Sequence, residues 1–243
     1  MKNKANIISF YPLNEEVRNF VPEPVPASRN LPQWYKDTPG SIDNGEMMAQ
    51  MGQPASTVKK CMPIFDAITA GYILRMPMDV YVDATGEKLT YQIPLAMSKF
   101  KGDLFATHER RQYEKYPYGD KWHQDLLRIM PMWIIKTPKG FSTLITQPFH
   151  GDSSPLYAVH GLVDTDGFAT DGHFSFWVEK GFKGTIPQGT PIAQVIPFRR
   201  DDWQMEILTA EDTQKDILPQ RLTLRSTFNN GYKNKFRSRK EYK

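Results

Sequence analysis

Residues 161–167 read Gly-Leu-Val-Asp-Thr-Asp-Gly, so two carboxylates flank one threonine at the end of a short apolar run. Asp164 and Asp166 in that setting could hold a divalent cation, or orient a water for attack on phosphorus. His160 and His173 lie close enough in sequence to assist proton transfer. The Asp-Gly step at 166–167 favours a turn that would bring the carboxylates together. Aspartate is also a leading turn residue in its own right, so 164–166 could equally do no more than shape the loop to Gly167.

A second constellation is His150-Gly151-Asp152. A His-x-Asp pair joined by a distant histidine is the ligand set of a non-haem iron centre, and His160 and His173 are the histidines that follow it. The competing role is local: His150 in the turn after Pro148, with Asp152 capping Ser153 and Ser154. Trp34-Tyr35 could stack a base or a proline ligand, or could pin an extended segment by burial. Cys61 beside Lys59 and Lys60 is either an activated thiol or a small half-buried residue. Arg110-Arg111 and Arg199-Arg200 are candidate phosphate contacts, although Arg199-Arg200 run into Asp201-Asp202 and could form surface pairs instead. The sequence contains no P-loop, dinucleotide glycine pattern or zinc-type cysteine pair, and no cofactor is expected.

These residues need a scaffold, and the patterning predicts a mainly β one. Of 243 residues, 24% are charged and 40% hydrophobic, as in ordinary globular domains. A single cysteine excludes an intrachain disulfide. No apolar window is long enough to cross a bilayer as a helix, and the N-terminal apolar run is too short for a secretory leader. The expectation is a protein of the host cytoplasm or of a virion, with no membrane contact. Charge is uneven: residues 221–243 hold eight basic side chains against Glu241, which leaves the remainder at −3. Arg237, Arg239 and Lys240 head the candidate contacts of this basic tail to nucleic acid or an acidic protein surface. A solvated extension is the alternative.

Residues 1–57 read as an extended arm punctuated by Pro12, Pro22, Pro24, Pro26, Pro32 and Pro39, with Asn14 as the cap of one short helical turn. Its aromatic residues should lie across the body or a neighbouring subunit, and 41–57 forms the candidate mobile loop. A β body is expected over 58–208. Strands are predicted over 67–74, 78–83, 89–93 and 133–136, then over 141–147, 157–164, 174–178 and 191–198. Hairpins are expected across Gly86 and across Pro138-Lys139-Gly140, and 100–121 should be a surface excursion. Strands at this spacing imply a sandwich, jelly roll or barrel. Residues 209–243 should begin with a capping box at Thr209 and Asp212, form a short helix to about Leu218, and end in the basic tail.

Thr69-Ala70-Gly71-Tyr72, Gly161-Leu162-Val163-Asp164 and Gly189-Thr190-Pro191-Ile192-Ala193-Gln194-Val195 resemble, in order, three segments of the trimeric dUTPase fold, whose relatives include dCTP deaminases. That resemblance implies the fold of the β body and a nucleoside-lining role for Asp164. The departures argue against dUTPase activity: Ile73 stands where the first motif has a carboxylate, and no Arg-Ser-Gly phosphate turn occurs. The C-terminal stretch reads STFNNGYKNKFRSRK in place of a glycine-rich clamp. Leu31-Pro32-Gln33-Trp34-Tyr35-Lys36, residues 137–144 with Gln147-Pro148-Phe149, and residues 189–198 resemble an uncharacterised family found in tailed-phage genomes and some bacteria. The functional expectation is a non-enzymatic assembly or binding protein of phage type, a homo-oligomer or particle subunit. The alternatives are a nucleotide- or metal-dependent enzyme using Asp164, Asp166 and His160, and an iron oxygenase using His150, Asp152 and His173.

Overall fold

The computed structural model describes residues 6–42, 55–95, 97, 104–117, 119–168, 172–226 and 231–243. The chain is mainly β. A five-stranded antiparallel sheet runs in the order Gly161–Val163, Phe141–Thr146, Pro191–Arg199, Tyr72–Arg75, Val25–Pro26. A four-stranded sheet is ordered Leu156–Ala158, Phe174–Val178, Leu126–Ile129, Phe105–His108, and a three-stranded one Lys183–Ile186, Val80–Asp83, Thr90–Gln92. Among the described residues no sheet closes on itself. Leu74, Ile145 and Val195 from the first sheet meet Leu127, Ile129 and Phe176 from the second and Val80, Val82 and Ile186 from the third in one core. Full burial of each such side chain contributes about 1.5–3 kcal/mol.

The Pro191–Arg199 strand lies at the centre, and Ile192 to Val195 are fully buried. A strand covered on both faces reads as a continuous apolar run, and the one polar residue in this run is Gln194. Its amide Nε2 donates to Ala67 O at 2.9 Å and Ala70 O at 2.6 Å, while its Oε1 accepts from Phe149 N at 2.8 Å. The helix Met62–Thr69 is thereby held against the sheet by its last carbonyls. Gly71 makes the approach possible: its φ is +67°, and an added Cβ would lie 2.0 Å from Val195 O.

The N-terminal arm lies on the body of its own chain. Ser9–Pro12 pairs antiparallel with Trp133–Lys136. The Asn14 side chain accepts from Val17 N and caps the helix Glu15–Phe20, whose Val17 enters the core with Val21. Trp133 Nε1 donates to Pro22 O at 3.1 Å.

The expected hairpin across Gly86 is present, with Asp83 opposite Thr90. The Thr209–Asp212 capping box is also present, but its helix does not stop near Leu218. It runs on through a π-helical stretch, Thr213–Ile217, into Leu218–Ser226. Pro219 lacks the N–H that a regular ladder needs there.

Four strand expectations are corrected. Residues 67–74 are not one strand: the helix Met62–Thr69 ends, the chain turns at Gly71, and Tyr72–Arg75 begins. The 133–147 segment is not a hairpin, because Trp133–Lys136 pairs with the arm while Phe141–Thr146 joins the central sheet. Buried Thr137 marks that crossing, its hydroxyl 3.1 Å from Phe141 O and 2.7 Å from Thr165 Oγ1. Residues 157–164 split at His160 into Leu156–Ala158 and Gly161–Val163, which belong to different sheets. Within the expected 100–121 excursion, buried Phe105 draws Phe105–His108 into a sheet edge. Ser41–Ile42 pairs with Ala55–Ser56, and the rest of the expected mobile loop, 43–54, lies outside the described residues.

Gln194→Leu keeps the volume of the side chain but strips the partner from Phe149 N and from two carbonyls. The expected loss is about 3 kcal/mol, read as a lower urea midpoint at unchanged m. A change within about 0.5 kcal/mol would show that these backbone groups find other partners.

Candidate functional site

The acidic turn after Gly161–Val163 is built around an arginine. Residues 164–167 form a turn closed by Gly167 N donating to Asp164 O at 3.0 Å. Thr165 points inward, and its hydroxyl lies 2.7 Å from both Thr137 Oγ1 and Thr143 Oγ1. Asp164 and Asp166 flank it and converge on Arg200, which follows the central strand. Arg200 spans Asp166 with two bonds, Nη1 to Oδ1 at 2.9 Å and Nη2 to Oδ2 at 2.5 Å. Its Nη1 also reaches Asp164 Oδ1 at 3.2 Å, Ser142 Oγ at 2.9 Å and Phe141 O at 3.1 Å. Gly140 N donates to Asp166 Oδ2 at 2.8 Å, and Ser142 Oγ to Asp164 Oδ1 at 2.6 Å.

The Asp166 side chain is 10% exposed and that of Asp164 72%. The Arg200 guanidinium, helped by the Gly140 N–H, holds the Asp166 carboxyl well below the usual carboxylate range, and Asp166 in turn raises Arg200. A cation entering between these carboxylates would have to displace the guanidinium. Among the described residues no group of three or more His, Cys, Asp or Glu side chains is arranged to hold a metal ion.

His160 is not part of this cluster. Its Nδ1 lies 2.8 Å from Thr146 Oγ1 and its Nε2 3.1 Å from the Tyr157 hydroxyl. Four residues of extended chain, about 13 Å, separate it from Asp164.

The His150–Asp152 loop instead receives the arm. His150 adopts φ +52°, and its carbonyl accepts from Trp34 Nε1 at 2.7 Å. Both Asp152 carboxylate oxygens accept from Gln33 N at 3.0 Å. Gln33, Trp34 and Tyr35 open the short helix Gln33–Asp37. Tyr35 is buried against Phe65 with its hydroxyl donating to Lys59 O at 3.1 Å. His173 precedes Phe174–Val178, whose opposite end pairs with Leu156 near this loop, so about 14 Å of strand lies between them.

Between arm and body a cavity of about 190 Å³ opens, lined among others by Asn30, Gln147, Asp152, Ser154, Thr190 and Gln194. Gln194 was detectable beforehand as a polar residue inside an apolar strand. Gln147, whose Oε1 accepts from Ala158 N at 2.8 Å, carried no such mark.

The basic tail returns to the body after the helix Gly231–Lys235. Arg237 straddles Asp66, with Nη2 2.6 Å from Oδ1, and Lys240 Nζ lies 3.1 Å from Oδ2. Arg237 sits over the Phe65 ring at 5.7 Å, and its hydrogen bond to Asp66 pulls that carboxyl below its usual range. Arg239 and Lys243 both pair with Glu241 at 3.1 Å. Tyr242 packs edge-on against Tyr72, whose hydroxyl donates to Lys243 O at 3.3 Å.

Arg200 and Arg237 therefore anchor the chain on either side of residues 201–226 and 231–236. The start of the first stretch carries Trp203, Met205 and Ile207 at 89%, 88% and 85% exposure. Ile217, Leu218, Leu222 and Leu224 of the following helical stretch are exposed too. The alternation Trp203-Gln204-Met205-Glu206-Ile207 was the sequence signal for this feature, hidden in an acidic stretch between strand and helix.

No protein-family model matches the chain, and no curated protein matches it significantly.

Two predictions concern the anchors. Asp166 has a folded pKa below its unfolded value, so its contribution to stability is complete above the unfolded value of about 3.9 and is lost as pH falls toward the folded one. Asp66 and Asp83 shift in the same direction. Stability of the wild type should therefore fall on acidification below about pH 4, and Asp166→Asn should flatten that decline in urea titrations. An unchanged slope would exclude the Arg200 clamp. Asp66→Asn should free the tail, seen as faster tryptic cleavage after Lys233 and Lys235 with the body intact. Unchanged cleavage would place the tail's hold elsewhere.

Proposed function

We propose that this chain is a non-enzymatic, self-associating β module, an assembly or binding protein of the phage type that its sequence resembles, as a virion component or in the host cytoplasm. The observation that carries the reading is the exposure of Trp203, Met205 and Ile207 on a segment anchored beside the body. Each of these side chains gains about 1.5–3 kcal/mol on burial, and three large apolar side chains left in water within five residues are what an interaction site offers. The candidate chemistry recedes for a separate reason. Asp164 and Asp166 are engaged by Arg200, Ser142 and Gly140, while His150 and Asp152 seat the arm.

The reading extends to the fold, taken as a dUTPase-like or jelly-roll body. Antiparallel sheets around one core support it. It extends also to the tail: Lys233 and Lys235 are exposed and available to an acidic partner or nucleic acid, exposed Arg239 pairs with Glu241, and Arg237 and Lys240 hold Asp66.

Sedimentation velocity across a wide concentration range tests self-association. The full chain should sediment as an oligomer, and the triple variant Trp203→Ser, Met205→Ser, Ile207→Ser as a folded monomer. A wild type that stays monomeric throughout would end the proposal. So would nucleotide turnover with Mg²⁺, Mn²⁺ or Fe²⁺ that Asp164→Asn abolishes.

A further inference from the structure

We propose that residues 202–208 of one copy add as a strand to the free edge of Gly161–Val163 in a second copy. This rests on the self-association proposed above and names its contact surface.

The donor segment has the composition and pattern of a strand without a sheet. It contains no glycine or proline, and Trp203, Met205 and Ile207 fall at every second position, followed directly by Leu208. From 201 to 208 its backbone makes no hydrogen bond to another described backbone group. The last such bond is Arg200 N to Gly140 O at 2.9 Å. Backbone groups without a described backbone partner and large apolar side chains in water, which an extended conformation would bring to one face, are what β-strand addition satisfies together.

The acceptor is an edge with the matching face. Among the described residues Gly161–Val163 is paired on one side only, with Phe141–Thr146. Leu162 is 69% exposed, more than any other apolar residue within a described strand, and exposed Phe168 follows the acidic turn. The register puts Leu162 opposite Leu144 and Leu144 opposite Ile196. These three side chains therefore form a row across adjacent strands, half-buried at Leu144 and Ile196 and open at Leu162. A further strand with Met205 beside Leu162 continues the row. Trp203 and Ile207, each about 6.7 Å along, then lie on either side of it, which allows one of them to reach Phe168.

The occupant is a second copy because no described strand of the chain itself pairs with the outer side of that edge. Arg200 is tied to Asp164 and Asp166 at the end of that edge, so the segment starts beside it, yet Trp203, Met205 and Ile207 remain in water. Two copies can satisfy each other reciprocally, as a two-fold contact requires.

Cysteine exchange tests this on the full chain in a Cys61→Ser background. Met205→Cys and Leu162→Cys are purified separately, mixed and mildly oxidised. Cross-strand neighbours lie about 4.5–5.5 Å apart, within disulfide reach. The mixture should yield roughly tenfold more mixed disulfide than Met205→Cys with the remote surface variant Lys88→Cys, because pairing raises the effective concentration. No excess, with wild type still oligomeric, would overturn this contact and leave the proposed self-association standing. A monomeric wild type would remove both. An intrachain disulfide in the monomeric double variant would assign the segment to its own edge and overturn the exchange between copies.

Discussion

A primary amide buried in an apolar strand must find partners for its N–H groups and its oxygen, or it costs more than it contributes. Gln194 meets that requirement by binding Ala67 O, Ala70 O and Phe149 N. One side chain thus sets the end of a helix, the start of the 149–154 loop and the central strand relative to one another. The loop then places the His150 carbonyl and the Asp152 carboxylate, on which Trp34 and Gln33 settle. The seat of the N-terminal arm follows from Gln194 through two short steps. Gly71 is the steric condition for the arrangement, since any Cβ there would meet the backbone of Val195.

The rim of the body is organised by a different interaction. Asp166 with Arg200 and Asp66 with Arg237 are two-pronged carboxylate–guanidinium contacts, partly shielded from water and supported by further donors from Gly140 and Lys240. Surface ion pairs contribute little stability singly, but a planar fork fixes direction as well as distance. Their consequence here is positional. They hold the chain before residue 201 and after residue 236, so the helix between them is carried beside the body. The basic excess of the tail is also partly spent on this task, which narrows the charge left for a partner.

Local rules were sufficient where one strand face is buried and the turn is chemically marked. Val80 and Val82 alternate with Tyr81 and Asp83, and Gly86 sits in the connection, so that hairpin was legible. So were the caps at Asn14 and Thr209, which depend on neighbours three residues away. Residues 67–74 were misread because a short apolar run has no period that separates helix from strand, and the deciding contact, Gln194, lies more than 120 residues on. The 133–147 segment looked like a hairpin because its turn residues are correct. Its two strands diverge because Thr137 and Thr165 tie the turn inward. At the candidate site, the convergence of Asp164 and Asp166 was legible from the Asp-Gly turn. The group they converge on was not, since Arg200 is 34 residues beyond Asp166 and sits in a run of mixed charge that suggested pairing with Asp201 and Asp202, a pairing that Arg199 makes with Asp201 and Arg200 does not.

The aromatic residues of the arm and of the segment after Arg200 pose one physical problem with two outcomes. Phe10 packs on Tyr72, Trp34 on Tyr35, and Tyr35 on Phe65, so these arm aromatics find cover within the chain, while Tyr11 and Phe20 stay exposed. Ordering an extended arm costs about 1–2 kcal/mol per residue in backbone entropy, and these contacts, with the Ser9–Pro12 pairing, offset that cost internally. Trp203 has the same need and no such cover. The arm, expected to lie across the body or a neighbouring subunit, lies on the body, and the segment after Arg200 carries large apolar side chains with little cover. There the backbone lacks a described backbone partner and the apolar side chains lie in water, and the anchors at either side confine where a neighbour could approach.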